Sequence, residues 1–214
     1  MSKNIQHITK PRDATSVIII RRDKNKCYIL MGRRPKSAKF MPGFYVFPGG
    51  ALDSNDYYIS HAYYPKSKIS NTKLKTYSHR KSKALLCSAI RETAEETGLF
   101  LGKKVKNKKT YNMQKSSIWQ KFSERAFVPD LSKLTFFGRA ITPSFLKTRY
   151  HARFFIASYK SFFGEIRTNG ELEDIKWIDV KKINNINMAD VTEFMIGQVI
   201  KINGKVENIN KNFS

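Results

Sequence analysis

Two short β-branched runs open the chain, ATSVIII at 14–20 and CYILM at 27–31, and the polar RRDKNK between them predicts a hairpin. The punctuation around Met41-Pro42-Gly43 precedes FYVF at 44–47, a third strand closed by Pro48-Gly49-Gly50. From Asp53 to about Arg80 the chain is polar and tyrosine-rich, a composition that predicts a surface insertion with little core of its own, over about 57–80. From Lys81 to Gly98 the period changes. Leu86, Ala89, Ile90, Thr93, Ala94 and Thr97 recur at spacings of three and four, the mark of a helix buried on one side, and Gly98 is its stop signal. Residues 103–115, with KKVKNKK, read as a basic loop, followed by a short helix around Ile118, Trp119 and Phe122. Aromatic and β-branched residues at 134–142, 149–159 and 175–180 predict three more strands. A last helix covers about 190–202, before an asparagine-rich tail expected to fray. The sum is an α/β chain with a mixed sheet flanked by helices. It forms one domain over 14–203, between an N-terminal extension (1–13) and a polar tail (204–214).

Composition changes this picture only at the edges. The 214 residues are 41% hydrophobic, enough for a real core. No apolar run approaches the roughly 20 residues a membrane-spanning helix needs. The first eleven residues lack the apolar segment of a secretory signal, so a cytoplasmic protein without a membrane partner is expected. Cys27 and Cys87 are too few for a disulfide framework and read as buried thiols. Lys plus Arg number 40 against 17 Asp plus Glu, a net charge of +23 that attracts phosphates of any kind. The surplus is spread along the chain, and a lysine-rich composition accounts for it equally well.

The chemistry concentrates in Arg91-Glu92-Thr93-Ala94-Glu95-Glu96-Thr97-Gly98-Leu99. At 100° per residue, Glu92, Glu95 and Glu96 share about a third of the helix circumference, apart from Leu86, Ile90, Thr93 and Thr97. One face packs and the other presents three acids. They also sit in the last turns of the helix, where its dipole disfavours anions and like charges repel. A divalent cation relieves that cost, and an oxygen-rich carboxylate set suits Mg²⁺ or Mn²⁺. The alternative is a solvated acidic face, set against which is the clustering of acids in so basic a chain.

These residues resemble the Nudix hydrolase signature: a glycine, five residues, an acid, seven residues, then R-E-U-x-E-E-x-G-U with U aliphatic. Gly50 fits the opening glycine and Asp56 stands where the family has glutamate. Arg91 to Leu99 matches, with Thr93 in place of an aliphatic residue. The departure is the spacing, because 34 residues (57–90) separate Asp56 from Arg91 where the pattern has seven. Either the loop bulges outward, or Lys83, at the uninterrupted spacing, takes the place of the acid. The phrases RRPKSAKFMPGFYVFPGGALD, FFGRAITP, RFFIA and GELEDIKWIDV are similar to a branch that includes the peroxisomal coenzyme A diphosphatase type.

The resemblance implies an α/β/α sandwich and metal-dependent hydrolysis of a nucleoside diphosphate linked to another moiety, with coenzyme A or acyl-coenzyme A as the first substrate expectation. It implies a metal platform of Glu92, Glu95 and Glu96 with the backbone carbonyl of Gly49. Arg91 would join loop and helix through an acidic partner. The water-activating acid stays open between Glu92 and the later Glu171 and Glu173, with Glu171 preferred. Arg33, Arg34, Arg139 and Arg149 are candidate phosphate contacts, and either Phe44 or Tyr45 a stacking residue. His151, Trp119 and Trp177 read as structural. The partner is thus a phosphorylated small molecule, and the protein a monomer or homodimer. The alternative is a Nudix-like protein that binds RNA, or processes its cap, through the positive charge.

Overall fold

A computed structural model describes residues 9–64, 71–106, 118–206 and 209. The predicted hairpin is present and longer than expected, with β1 at Arg12–Asp23 and β2 at Lys26–Arg33. β3 (Tyr45–Val46) pairs with β2, and β4 (Gly49–Ala51) pairs with β1, so the two glycines belong to a strand rather than to a turn alone. After α1 (Ser54–Tyr63), α2 (Asn71–Leu74) and α3 (His79–Thr97) comes a small sheet of β5 (Gly102–Lys104) and β6 (Phe127–Pro129), with α4 (Ile118–Glu124) between them. β7 (Thr135–Ile141), β8 (Tyr150–Ser158), β9 (Glu173–Asp179) and α5 (Asp190–Lys201) complete the order.

The main sheet has seven strands. Its path runs β3-β2-β1-β8-β7, with β4 beside β1 and β9 beside β2. β1 and β8 are parallel, whereas the other pairs are antiparallel, so the sheet is mixed. Its central strands are apolar on both faces, and their alternation divides the core. Val17, Ile19, Leu30 and Phe155 face the α1, α3 and α4 layer, while Ile18, Ile20, Ile29 and Ile156 face α5. The result is the α/β/α sandwich that the sequence predicts.

Three expectations need correction. The stretch 53–80 is not a surface appendage, because Ile59 of α1 and Leu74 of α2 are buried in the same core as α3. Its residues 65–70 lie outside the described residues, as does most of the basic loop at 107–115. Within that loop, Lys103 and Lys104 form strand pairs with Val128 and Phe127. The tail also packs: Gly204 lies against Cys27, and Ile209 is buried in the α5-side core. The rest of the tail from 207, apart from Ile209, and residues 1–8 lie outside the described residues. Among the described residues no helix is long and apolar enough to cross a membrane.

Candidate active site

The site begins with α3. Ser78 caps its first turn, accepting from the Lys81 amide at 3.2 Å, and Gly98 ends it in the left-handed region at φ 73°. Thr93, the polar substitute in the motif, donates its hydroxyl to the Ala89 carbonyl at 2.8 Å, so the helix itself satisfies a hydroxyl in a buried position. The acids are not simply presented to solvent as their spacing predicts. Glu92 and Glu96 are buried beneath β4, and only Glu95 keeps substantial exposure.

β4 explains the double glycine. The Gly49 amide donates to Glu96 Oε2 at 2.7 Å. A Cβ on Gly50 would lie 2.4 Å from Glu92 Cδ, inside van der Waals contact. Only a bare backbone lets the strand approach the acids this closely.

Arg91 ties the assembly together. Its Nε and Nη2 bind Asp56 Oδ1 and Oδ2 at 2.9 and 3.0 Å, and Nη2 also donates to the Ala51 carbonyl at 3.0 Å. Its Nη1 meets Glu92 and Glu95, each at 2.9 Å. Asp56 is fully buried, and its Oδ2 also accepts from the Asp53 amide at 2.9 Å, completing the capping box of α1. The open choice between Asp56 and Lys83 therefore resolves to Asp56 as the partner of Arg91. Lys83 turns elsewhere, donating to the Tyr64 carbonyl at 2.5 Å.

A third acid arrives from the chain beyond β8. Carboxylate oxygens of Glu92, Glu96 and Glu171 lie within 4.8 Å of one another. Glu171 itself is exposed, but its neighbour Leu172 is fully buried, its Cβ only 2.8 Å from where a Gly32 Cβ would sit. The same loop docks on the end of α3, where the Arg167 amide donates to the Thr97 carbonyl at 3.0 Å. Glu173, the other acid considered, points away and pairs with Arg33 at 3.1 Å on the surface. Glu95 stands beside the triad rather than in it, although the charge of Glu171 reaches it.

Burial dominates the electrostatics. Desolvation pushes the Glu92 carboxyl up to about 7 against the pull of Arg91, and neighbouring Glu95 adds to the rise. Desolvation also raises Glu96 well above the usual carboxylate range, and Glu95 less far; the Gly49 amide pulls Glu96 the other way. Two buried acids and one exposed acid converging on one point is a costly arrangement for the protein alone. The donor set is all oxygen and a shared divalent cation offsets that cost, so these residues fit a hard divalent cation.

The triad lines a cavity of about 510 Å³. Arg34 lines it, its Nε held by the Phe40 carbonyl at 2.7 Å, and its charge reaches Glu96. The other predicted contacts fall elsewhere. Arg33, Phe44, Arg139 and Arg149 do not line this cavity; Arg139 borders a separate depression with Lys73 and Lys75. Tyr45 is engaged by Asp174 and Lys176. The aromatic residues in the cleft are instead Phe40, Phe47, Tyr150 and Phe154, with Phe40 and Tyr150 edge to face at 5.2 Å. Sequence reasoning passed over Phe40 and Tyr150, and no local signal marks them, because distant parts of the chain bring them together.

No family model matches the sequence, and no curated protein matches it. Solved structures do. A Nudix hydrolase from Alicyclobacillus acidocaldarius is 23% identical over 95% of this chain and 97% of its own, with a TM-score of 0.74. A MutT Nudix hydrolase from Burkholderia pseudomallei is 16% identical over 89% and 99%, at 0.51. The Nudix domain of NrtR from Shewanella oneidensis, solved with ADP-ribose, is 14% identical over 91% and 89%, also at 0.51. The chain has the fold of the Nudix hydrolases.

Proposed function

We propose that the protein is a metal-dependent hydrolase that cleaves the diphosphate linkage of a nucleoside diphosphate conjugate. One observation carries this reading: Glu92, Glu96 and Glu171 converge within 4.8 Å in the lining of a cavity, beside the glycine strand of a Nudix fold. A divalent cation such as Mg²⁺ or Mn²⁺, if held there, would supply neutralisation of the diphosphate oxygens and activation of a water molecule. Glu92, Glu96 and Glu171 would hold that cation, with Glu95 at the margin and the Gly49 carbonyl as a candidate further ligand. Arg91 and Asp56 position the helix and β4 and do no chemistry. Glu171, the exposed acid, accepts the proton of the attacking water at a carboxylate oxygen. Arg34, which lines the same cavity, steadies a phosphate. Coenzyme A and acyl-coenzyme A are conjugates of this class, as is ADP-ribose, the ligand of the Shewanella domain.

The test is mass-spectrometric product analysis with Mg²⁺ or Mn²⁺ and a panel of coenzyme A, acyl-coenzyme A, ADP-ribose, NADH, dinucleoside polyphosphates and capped RNA. Cleavage between two phosphorus atoms, abolished by chelator and by Glu96→Gln, is the expected result. Folded, metal-loaded protein that turns over no member of the panel refutes the proposal.

A further inference from the structure

Beyond the acids, the floor of the cleft is built from one row of the sheet. Ala51 pairs with Ala14, Ala14 with Ala152, and Ala152 with Ala140, so four alanines stand side by side across β4, β1, β8 and β7. Directly paired residues share a face, and all four line the cavity. At about 4.8 Å between neighbouring strands, the row is a smooth apolar strip about 14 Å wide. Larger side chains here would fill the cavity, and their absence leaves it open.

The walls continue this character. Phe40 and Tyr150 stand together on one side, and Ile141 and Leu146 at the mouth are 46% and 42% exposed. Next to them, Phe145 is 82% exposed. Apolar side chains left open to water beside a cavity gain free energy when an apolar group covers them.

Charge and hydrogen bonding point the same way. Arg34 is the one cation among the described residues lining the cavity, although the whole chain carries +23. Three of its hydroxyl groups are engaged by the protein itself: Thr15 donates to Ser88, Ser16 to the Pro48 carbonyl and Thr142 to the Tyr150 carbonyl. Thr142 also accepts from the Tyr150 amide at 3.0 Å. A polar group such as a nucleobase edge or a sugar would lose water here and find three of the five hydroxyls in the lining, those of Thr15, Ser16 and Thr142, already donating to the protein. A hydrocarbon group gives up no hydrogen bonds to water on entering.

We propose that the alanine strip receives an apolar hydrocarbon group, an alkyl or isoprenoid chain, joined directly through the diphosphate to the nucleoside. This rests on the diphosphate-hydrolase reading and names the class of the second moiety.

Binding separates the two claims, because it needs no turnover. The probes are two methylene-bridged adenosine diphosphate esters, one of octanol and one of glycerol, titrated calorimetrically with Mn²⁺ present. The octyl probe is expected to bind at least tenfold tighter. Leu146→Asp and Ile141→Asp, both at partly exposed positions, are each expected to cut that preference to threefold or less. Equal binding of the two probes, or a preference that both variants leave intact, overturns the inference. Octyl preference in a protein that hydrolyses nothing refutes the hydrolase reading and retains the apolar site; turnover without octyl preference does the reverse.

Discussion

Arg91 grips Asp56 with two hydrogen bonds, at 2.9 and 3.0 Å, across a gap of 34 intervening residues. The pair is almost wholly enclosed, with the Asp56 side chain at 0% exposure and that of Arg91 at 13%. Removing Asp56 takes the acceptor from Nε and one from Nη2 and breaks the capping box of α1, leaving the guanidinium with Glu92, Glu95 and the Ala51 carbonyl. Asp56→Ala is therefore expected to cost about 3–5 kcal/mol, read as a lower urea midpoint at unchanged slope. A shift below about 1 kcal/mol would show that α1 and α3 do not depend on this contact.

Function and stability oppose each other at Glu96. Glu96→Gln removes a buried ionisable acid while leaving a side-chain oxygen to accept from the Gly49 amide. In chelator the variant is expected to melt higher than wild type, by about 2–4 °C for each kcal/mol recovered. With Mn²⁺ at a hundredfold excess over its dissociation constant, wild type gains about 2.7 kcal/mol and the variant does not. Diphosphate hydrolysis falls at least about a hundredfold. Paired thermal melts with and without metal check both signs.

Glu92 makes metal-free stability fall as pH rises. Its folded carboxyl titrates at about 7 against an ordinary 4.5, so between these values the folded protein keeps a proton that the unfolded chain has released. Its contribution is full below 4.5 and is lost by about pH 7, on the order of 3 kcal/mol. Urea unfolding of wild type and Glu92→Gln in chelator, from pH 4.5 to 7.5, isolates this dependence as their difference. A difference that stays flat across the window contradicts the burial of Glu92. Mg²⁺ or Mn²⁺ is expected to offset the loss near neutral pH by favouring the ionised form.

Leu172 holds Glu171 over the site by burying itself against Gly32. Leu172→Ala is expected to destabilise the fold by about 2–5 kcal/mol and, at temperatures where the variant is still folded, to weaken Mn²⁺ affinity by loosening the third acid. Calorimetric titration with Mn²⁺ beside Glu171→Gln tests this. Unchanged affinity in both variants removes Glu171 from the metal set.

How much was legible in the sequence differs from element to element. Local pattern suffices for the existence of the helix over 79–97 and for its end at Gly98, but not for its burial, since Ser82 to Ile90 are enclosed on every side rather than on one face. It suffices for β1 and β2, whose β-branched residues face cores on both sides. It misleads at 53–80, because average polarity hides single anchors such as Ile59 and Leu74, each buried by contact with a distant helix. It misleads at Glu92 and Glu96 too, since a helical wheel gives direction but not what lies across from it, here the bare backbone of β4.

The sequence by itself determined the class of fold and the acids on α3, because both follow from periodicity and from side chains within a few turns of one another. Tertiary structure alone decided that Asp56 partners Arg91, that Glu171 completes the acid triad, and that four alanines from four strands form one floor. Each of those depends on strand register and on loop closure over tens of residues. Register is set by how the whole core packs, and no local window of sequence contains that information.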